Sequence, residues 1–324
     1  MKSENASYAV AVDEPANART ARPSLASGDR HRLLLMFGTV AALLLLFSLG
    51  SIPRLDWANV SDFHSYILFI PLVVAYWFWT ARYSLPRHYE TSAFAAIGCS
   101  IIGCAALAGS VVVAKKDGTV SDNDVLTLVI SSFVFFVTAS GFLFLGRRWM
   151  MAAVFPFAFL MFMVPMPDGM VGALETASQY ASVGAAELLF RLGNTPHLHD
   201  GIMFQLPGIT LEVAQECSGI RSSWVLFITS ILSANLFLRT NWKRVVLVAL
   251  VIPLGILRNG FRVWVIGMLC VRFGPHMIDS PIHHQGGPLF FILSLVPLFI
   301  LIVFLRRSED EAVDRLAGGV GHNA

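Results

Sequence analysis

Apolar runs long enough to cross a lipid bilayer recur along most of this chain, and no other feature limits its fold so strongly. They lie near Leu33–Ile52, Phe63–Trp79, Ser92–Ala114, Val125–Leu145, Met150–Met166, Ser222–Leu238, Val245–Val271 and Pro288–Leu305. A bilayer core calls for ~17–25 helical residues per crossing. Within lipid the backbone finds hydrogen-bond partners only in itself, so each run is expected to be a helix. The fifth run is the weakest, being short and carrying Pro156 and Pro165. Composition agrees: 56% of residues are hydrophobic and 14% charged, against roughly 45–50% and about 25% in soluble proteins. A mean hydropathy of +0.67 leaves too few polar residues to cover an aqueous core. A soluble enzyme, a disordered chain and a disulfide scaffold are excluded, and a net charge of +2 is too small to argue for nucleic acid. The expectation is an all-α polytopic membrane protein with about eight transmembrane helices.

Orientation follows from where lysine and arginine collect. Lys2, Arg19, Arg22, Arg30 and Arg32 precede the first run. Every second loop is again basic, with Arg82 and Arg87, then Arg147 and Arg148, then Arg239, Lys243 and Arg244, then Arg306 and Arg307. The loops between are mixed or acidic. This alternation predicts both termini in the cytoplasm and a retained first span rather than a cleaved signal. Three parts result: a cytoplasmic tail over 1–32, a membrane domain over 33–305 and a second tail over 306–324. The loop 167–221 is the one sizeable piece expected outside the bilayer. Val171–Leu192 within it reads as an amphipathic helix suited to a membrane surface, with Leu174, Ala177, Tyr180, Ala181, Leu188 and Leu189 on one side. Gly193-Asn194-Thr195-Pro196 ends it, and Gly201–Val213 alternates like a hairpin around Pro207-Gly208.

Three features carry chemistry. Cys99, Cys104 and Cys270 sit in apolar runs as packing residues, but Cys217 stands between the outer loop and the sixth run, at the expected N-terminus of a helix. The partial positive charge there, and Arg221 one turn on, favour the reactive thiolate. Gly219 leaves room for a substrate to approach the backbone. Next, Arg258 and Arg262 lie within the seventh run with Asn259 between them. Each intramembrane arginine costs ~2.5–3.5 kcal/mol on an insertion scale, and at i, i+4 the two share a helix face that cannot be the lipid face. A loop splitting the span, or snorkelling side chains, is the alternative. Finally, His283 and His284 precede the last run, where an imidazole can act as base or acid. The histidine pair with His197, His199 and Asp200 suggests a metal only weakly, because adjacent histidines in an extended loop point apart; no metal or cofactor is expected. The charge-derived topology puts Cys217, the arginines and the histidines at one extracytoplasmic face. A thiol nucleophile, a base and a fixed cation are what acyl transfer through a thioester requires.

These segments resemble the exosortase/archaeosortase family of membrane transpeptidases over Leu33–Leu305. The family's Cys-Ser-Gly-Ile/Leu stands here as Cys217-Ser218-Gly219-Ile220, its Asn-x-x-Arg as Asn259-Gly260-Phe261-Arg262. Its histidine followed by Gly and paired aromatics stands as His283, Gly287, Phe290 and Phe291. Asp62-Phe63-His64-Ser65 departs from a weaker family feature, and no role is assigned to it. The resemblance implies Cys217, Arg262 and His283 as catalytic residues. Arg258 lies outside the pattern and the histidine is doubled, so Arg258, His284, Arg221 and Asn259 stand as alternates or substrate contacts. It further implies cleavage of C-terminal sorting signals (a short Pro-Glu-Pro-type motif, a transmembrane helix and a basic tail) on membrane-anchored exported proteins. Transfer to a lipid or glycan acceptor in the envelope of a bacterium with an inner membrane would follow, often alongside exopolysaccharide synthesis. The rival expectation is a transporter or polysaccharide-export component whose arginines bind anionic substrate; missing repeat symmetry and midplane carboxylates count against it. A glutamate- or metal-based intramembrane protease would need His/Glu pairs at helical spacing within spans, and the runs hold none.

Overall fold

The computed structural model describes residues 27–51, 65–81, 85–86, 89–115, 121–213, 219–280 and 286–320, which are mostly helical. The first half holds α1 (Ser27–Ser51), a 3-10 turn (Ser65–Leu68) leading into α2 (Phe69–Ala81), α3 (Ala93–Ala114) and α4 (Asp122–Phe144). The Ser121 side chain accepts from the Asn123 amide and so starts α4, satisfying one of the donors that a helix N-terminus leaves open. α3 and α4 run antiparallel and close together, because Gly103 leaves space for the Phe136 ring. α1 crosses α4 with Phe47 edge-on to Phe133 at 5.5 Å.

The second half begins with α5 (Arg147–Ala152), α6 (Val154–Phe159), a 3-10 turn (Leu160–Met163) and α7 (Asp168–Leu192). The expected single helix over Met150–Met166 is therefore broken. Ala153 leaves helical geometry at φ −104°, ψ 23°, and Pro156 falls in the first turn of α6, where its missing N–H costs nothing. Pro165 and Pro167 then stop the segment, and α7 departs at 90° to Val154–Met163. Its start is held by α4: the Asp168 amide donates to Asp124 Oδ1 at 2.9 Å, and Asn123 Nδ2 donates to Asp168 Oδ1 at 2.6 Å.

α7 occupies the stretch expected to be amphipathic, but protein covers the other side of it. Gln179, Ser182, Val183, Ala186 and Phe190 are buried, while Leu174, Tyr180 and Leu188 face outward. After α7, β1 (Leu198–Asp200), β2 (Met203–Leu206) and β3 (Ile209–Glu212) form an antiparallel meander. The turn at Pro207-Gly208 is as expected, with Gly208 at φ +85°, whereas β1 is an addition to the predicted hairpin. Alternation along β2 and β3 puts Phe204, Leu206 and Leu211 inside, with Val213, against Val183, Ala186 and Phe190 of α7.

The chain then enters α8 (Ile220–Phe237), α9 (Asn241–Phe273), a 3-10 turn (Pro275–Asp279) and α10 (Gly287–Val320). α9 completes the core under the sheet with Val263, Ile266 and Cys270. At 33 residues it is about 50 Å long, more than a ~30 Å bilayer core can contain. Its other end is tied to α10. The Glu309 carboxylate accepts from the Arg239 and Thr240 amides at 3.0 and 2.8 Å. Lys243 Nζ donates to Leu305 O at 3.2 Å and Ser308 Oγ at 2.6 Å. α10 continues as helix to Val320, over most of the stretch expected as a tail.

Among the described residues, five helices are long and apolar enough to cross a membrane: part of α1, then α3, α4, α9 and part of α10. The bent pair of Val154–Met163 with α7 makes a sixth if it counts as one span. Phe69–Ala81 and Ser222–Phe237 are apolar but shorter.

Candidate functional site

The middle of α9 is where the sequence-predicted residues meet the rest of the fold. Gly219 caps α8 in the left-handed conformation, φ +67°, ψ 14°, which disfavours any residue with a Cβ. A Cβ there would also lie 2.9 Å from Arg258 Nη2 and 3.0 Å from Asn259 Oδ1. On the side a Cβ would take, the space that Gly219 leaves is filled by Arg258 and Asn259 of α9, an occupant the sequence did not announce.

Arg258 is 7% exposed. Its Nη2 donates to Gly219 O and to Ser223 Oγ, both at 3.0 Å. The same carbonyl accepts from the Ser223 amide at 2.9 Å and from Ser222 Oγ at 3.1 Å. Arg258 Nη1 is buried without a hydrogen-bond partner among the described residues. Asn259, 2% exposed, donates from Nδ2 to Ser182 Oγ of α7 at 3.0 Å. Gly260 lets this contact close, because a Cβ there would sit 2.5 Å from the Ala185 Cβ. Arg262 follows Arg258 by one turn and is half-buried.

Cys217 lies in 214–218, outside the described residues, but both flanks of that stretch are held. On one side the Gln179 side chain of α7 donates to Val213 O, while the Val213 amide donates to Ile202 O at 3.0 Å. On the other, Gly219 is bound by Arg258. His283 and His284 lie in 281–285, also outside the described residues. Just beyond them Gly286 O accepts from the Phe290 amide at 3.0 Å, and Phe290 packs edge-on to Phe261 of α9 at 6.2 Å. The turn from Arg258 to Arg262 therefore touches the start of α8 and the start of α10, the elements immediately after the predicted cysteine and histidines. Arg221 sits in the first turn of α8 with its side chain outside the described part.

Sequence reasoning missed the partners of this turn, Ser182 and Ser223, and Gln179, which holds Val213. None of them has a signature, since each is an uncharged polar residue in an otherwise ordinary helix. It missed Tyr66 as well, whose hydroxyl accepts from Trp224 Nε1 of α8 at 3.1 Å and so draws the segment after Asp62–Ser65 towards α8. The other loop histidines are engaged elsewhere: His197 Nδ1 lies 2.8 Å from Thr195 O, and His199 Nδ1 lies 3.8 Å from Glu187 Oε1. Among the described residues no three His, Cys, Asp or Glu side chains group as metal ligands.

Fold and site together define a helical membrane protein that buries a cationic turn of one long helix against the entries to two others. Over residues 57–300 the sequence matches the family model for transmembrane exosortases (Exosortase_EpsH), so the chain belongs to the exosortase family. No curated protein and no solved structure matches it.

Proposed function

We propose that this chain is a cysteine transpeptidase embedded in a bacterial inner membrane, cleaving C-terminal sorting signals of exported, membrane-anchored proteins. The observation that carries the proposal is the Arg258–Gly219 contact, which fixes the backbone two residues from Cys217 against the turn that bears Arg262. In the proposed reaction His283 takes the proton of the Cys217 thiol. The thiolate attacks the scissile carbonyl, Arg262 stabilises the oxyanion, and the amine leaves with the proton returned by His283. A nucleophile from a lipid or glycan acceptor, or water, then attacks the thioester, loses its proton to His283 and regenerates the thiol. The site belongs on the extracytoplasmic face of an eight-crossing arrangement with both termini in the cytoplasm. In that arrangement the bent α6–α7 pair and the shorter α2 and α8 join the five long helices.

The test is Cys217→Ala in cells that express a tagged protein with a C-terminal sorting signal. The expected result is full membrane insertion with processing abolished. Unchanged processing by the inserted variant overturns the nucleophile assignment. Thiol labelling from outside the cell separates this reading from a transporter, since an active-site Cys217 labels fast and slows in His283→Ala.

A further inference from the structure

We infer that Arg258 is a positioning residue, which holds the backbone carrying Cys217 in register with Arg262 and does not itself bind the substrate. The inference rests on the reading of Cys217 as nucleophile. Its basis is the way the guanidinium is used. One nitrogen bridges Gly219 O, at the cap of α8, and Ser223 Oγ, one turn inside it. The two N–H bonds of that nitrogen are fixed in the guanidinium plane and can reach both acceptors on one helix end; a freely rotating ammonium holds them less firmly. Because that carbonyl also receives the Ser223 amide and Ser222 hydroxyl, the first turn of α8 is tied both to itself and to α9.

The two helices are shaped for this contact. Gly219 on α8 faces Arg258 and Asn259. Reciprocally, Gly255 on α9 faces Ser223, where a Cβ would lie 2.9 Å from Ser223 Oγ. Two glycines, one on each helix, therefore let the polar partners approach. Asn259 completes the hold on the far side through Ser182. Arg258 itself is buried, which leaves little of it open to a substrate carboxylate, and of the i, i+4 pair Arg262 is the more exposed. Among the described residues, the charged and titratable groups that bond to the first turns of α8 are Arg258 of α9 and Tyr66, just before α2. By the proposed mechanism His283 joins them.

The experiment monitors alkylation of Cys217 in the full-length membrane protein, resolved from the other cysteines by peptide mass, alongside processing kinetics. Removing a fixed cation disfavours the thiolate, so Arg258→Gln should move the alkylation midpoint up by about one pH unit and lower kcat with KM unchanged. Arg258→Lys, which keeps the charge and loses the fork, should restore the midpoint while kcat stays low. Ser223→Ala removes one acceptor and leaves the charge; kcat should fall about tenfold through misplacement alone, with the midpoint unmoved. Ser223→Ala also stands as the test if Arg258→Gln does not accumulate. A raised KM at constant kcat in Arg258→Gln makes Arg258 a substrate ligand and overturns the inference, as does wild-type kcat in Ser223→Ala. Processing that survives Cys217→Ala defeats the underlying mechanism instead, whereas the kcat losses in Arg258→Lys and Ser223→Ala report on the positioning role.

Discussion

α9 buries two cations, Lys243 near its start and Arg258 past its middle, and the fold treats them in opposite ways. Lys243 has a carboxylate in its neighbourhood as well as two acceptors: its ammonium donates to Leu305 O and Ser308 Oγ. Nearby, a carboxylate, Glu309, binds the main chain at the mouth of the same helix. Among the described residues, Arg258 has neutral acceptors, no acidic partner, one buried nitrogen unbonded and a second arginine one turn away. Burying charge without a counter-charge is costly, and an unbonded buried donor adds about 1–3 kcal/mol. One end of α9 is arranged to hold the fold together. The other holds a buried cation whose partners among the described residues are all neutral, the kind of cost that fits the function proposed for it.

Substitutions at the two ends should therefore separate chemistry from stability. The largest effect is expected at Gly219→Ala, which forces a Cβ into the left-handed region and towards Arg258 Nη2. Processing should drop about a hundredfold, the scale of small misplacements near a reacting centre, in a protein that still inserts. Next comes Glu309→Ala. Two amides lose a charged acceptor, each such bond being worth roughly 1.5–3 kcal/mol, so the detergent-solubilised protein should lose on the order of 3 kcal/mol, read as a lower melting temperature. Processing per folded molecule should not change; if it falls as far as in Gly219→Ala, the contrast between the two ends is wrong. The smallest effect is expected at Ser182→Ala, where Asn259 loses one neutral partner at a cost of about 1 kcal/mol. That variant sharpens the contrast, since a drop in kcat larger than the loss in stability would extend the functional end from α8 into α7.

Long apolar helices were legible because length in lipid follows from bilayer thickness, and α3 and α9 begin and end within a few residues of the expected runs. The run over Met150–Met166 misled because hydropathy does not register a backbone break at Ala153, although Pro156 and Pro165 hinted at one. α7 misled in a more instructive way. In water the large apolar residues of a helix mark its protein-facing side; next to lipid they need not. Helices there approach through small residues, and α7 meets α9 through Ala185 against Gly260 and Ser182 against Asn259. At the site, Arg258, Asn259 and Arg262 stood out as charge and amide in an apolar run. Their partners did not, because a main-chain carbonyl at Gly219 leaves no trace in composition and Ser223 resembles the serines around it. β1 escaped for want of any alternation, all three of its residues being exposed.

Val213 and Gly219 are two piers of unequal kind. One is a strand end gripped by Gln179 and Ile202, the other a helix cap gripped by Arg258. The proposed nucleophile is counted in sequence from both, so a residue inserted on either side of it changes its distance from one pier and not from the other.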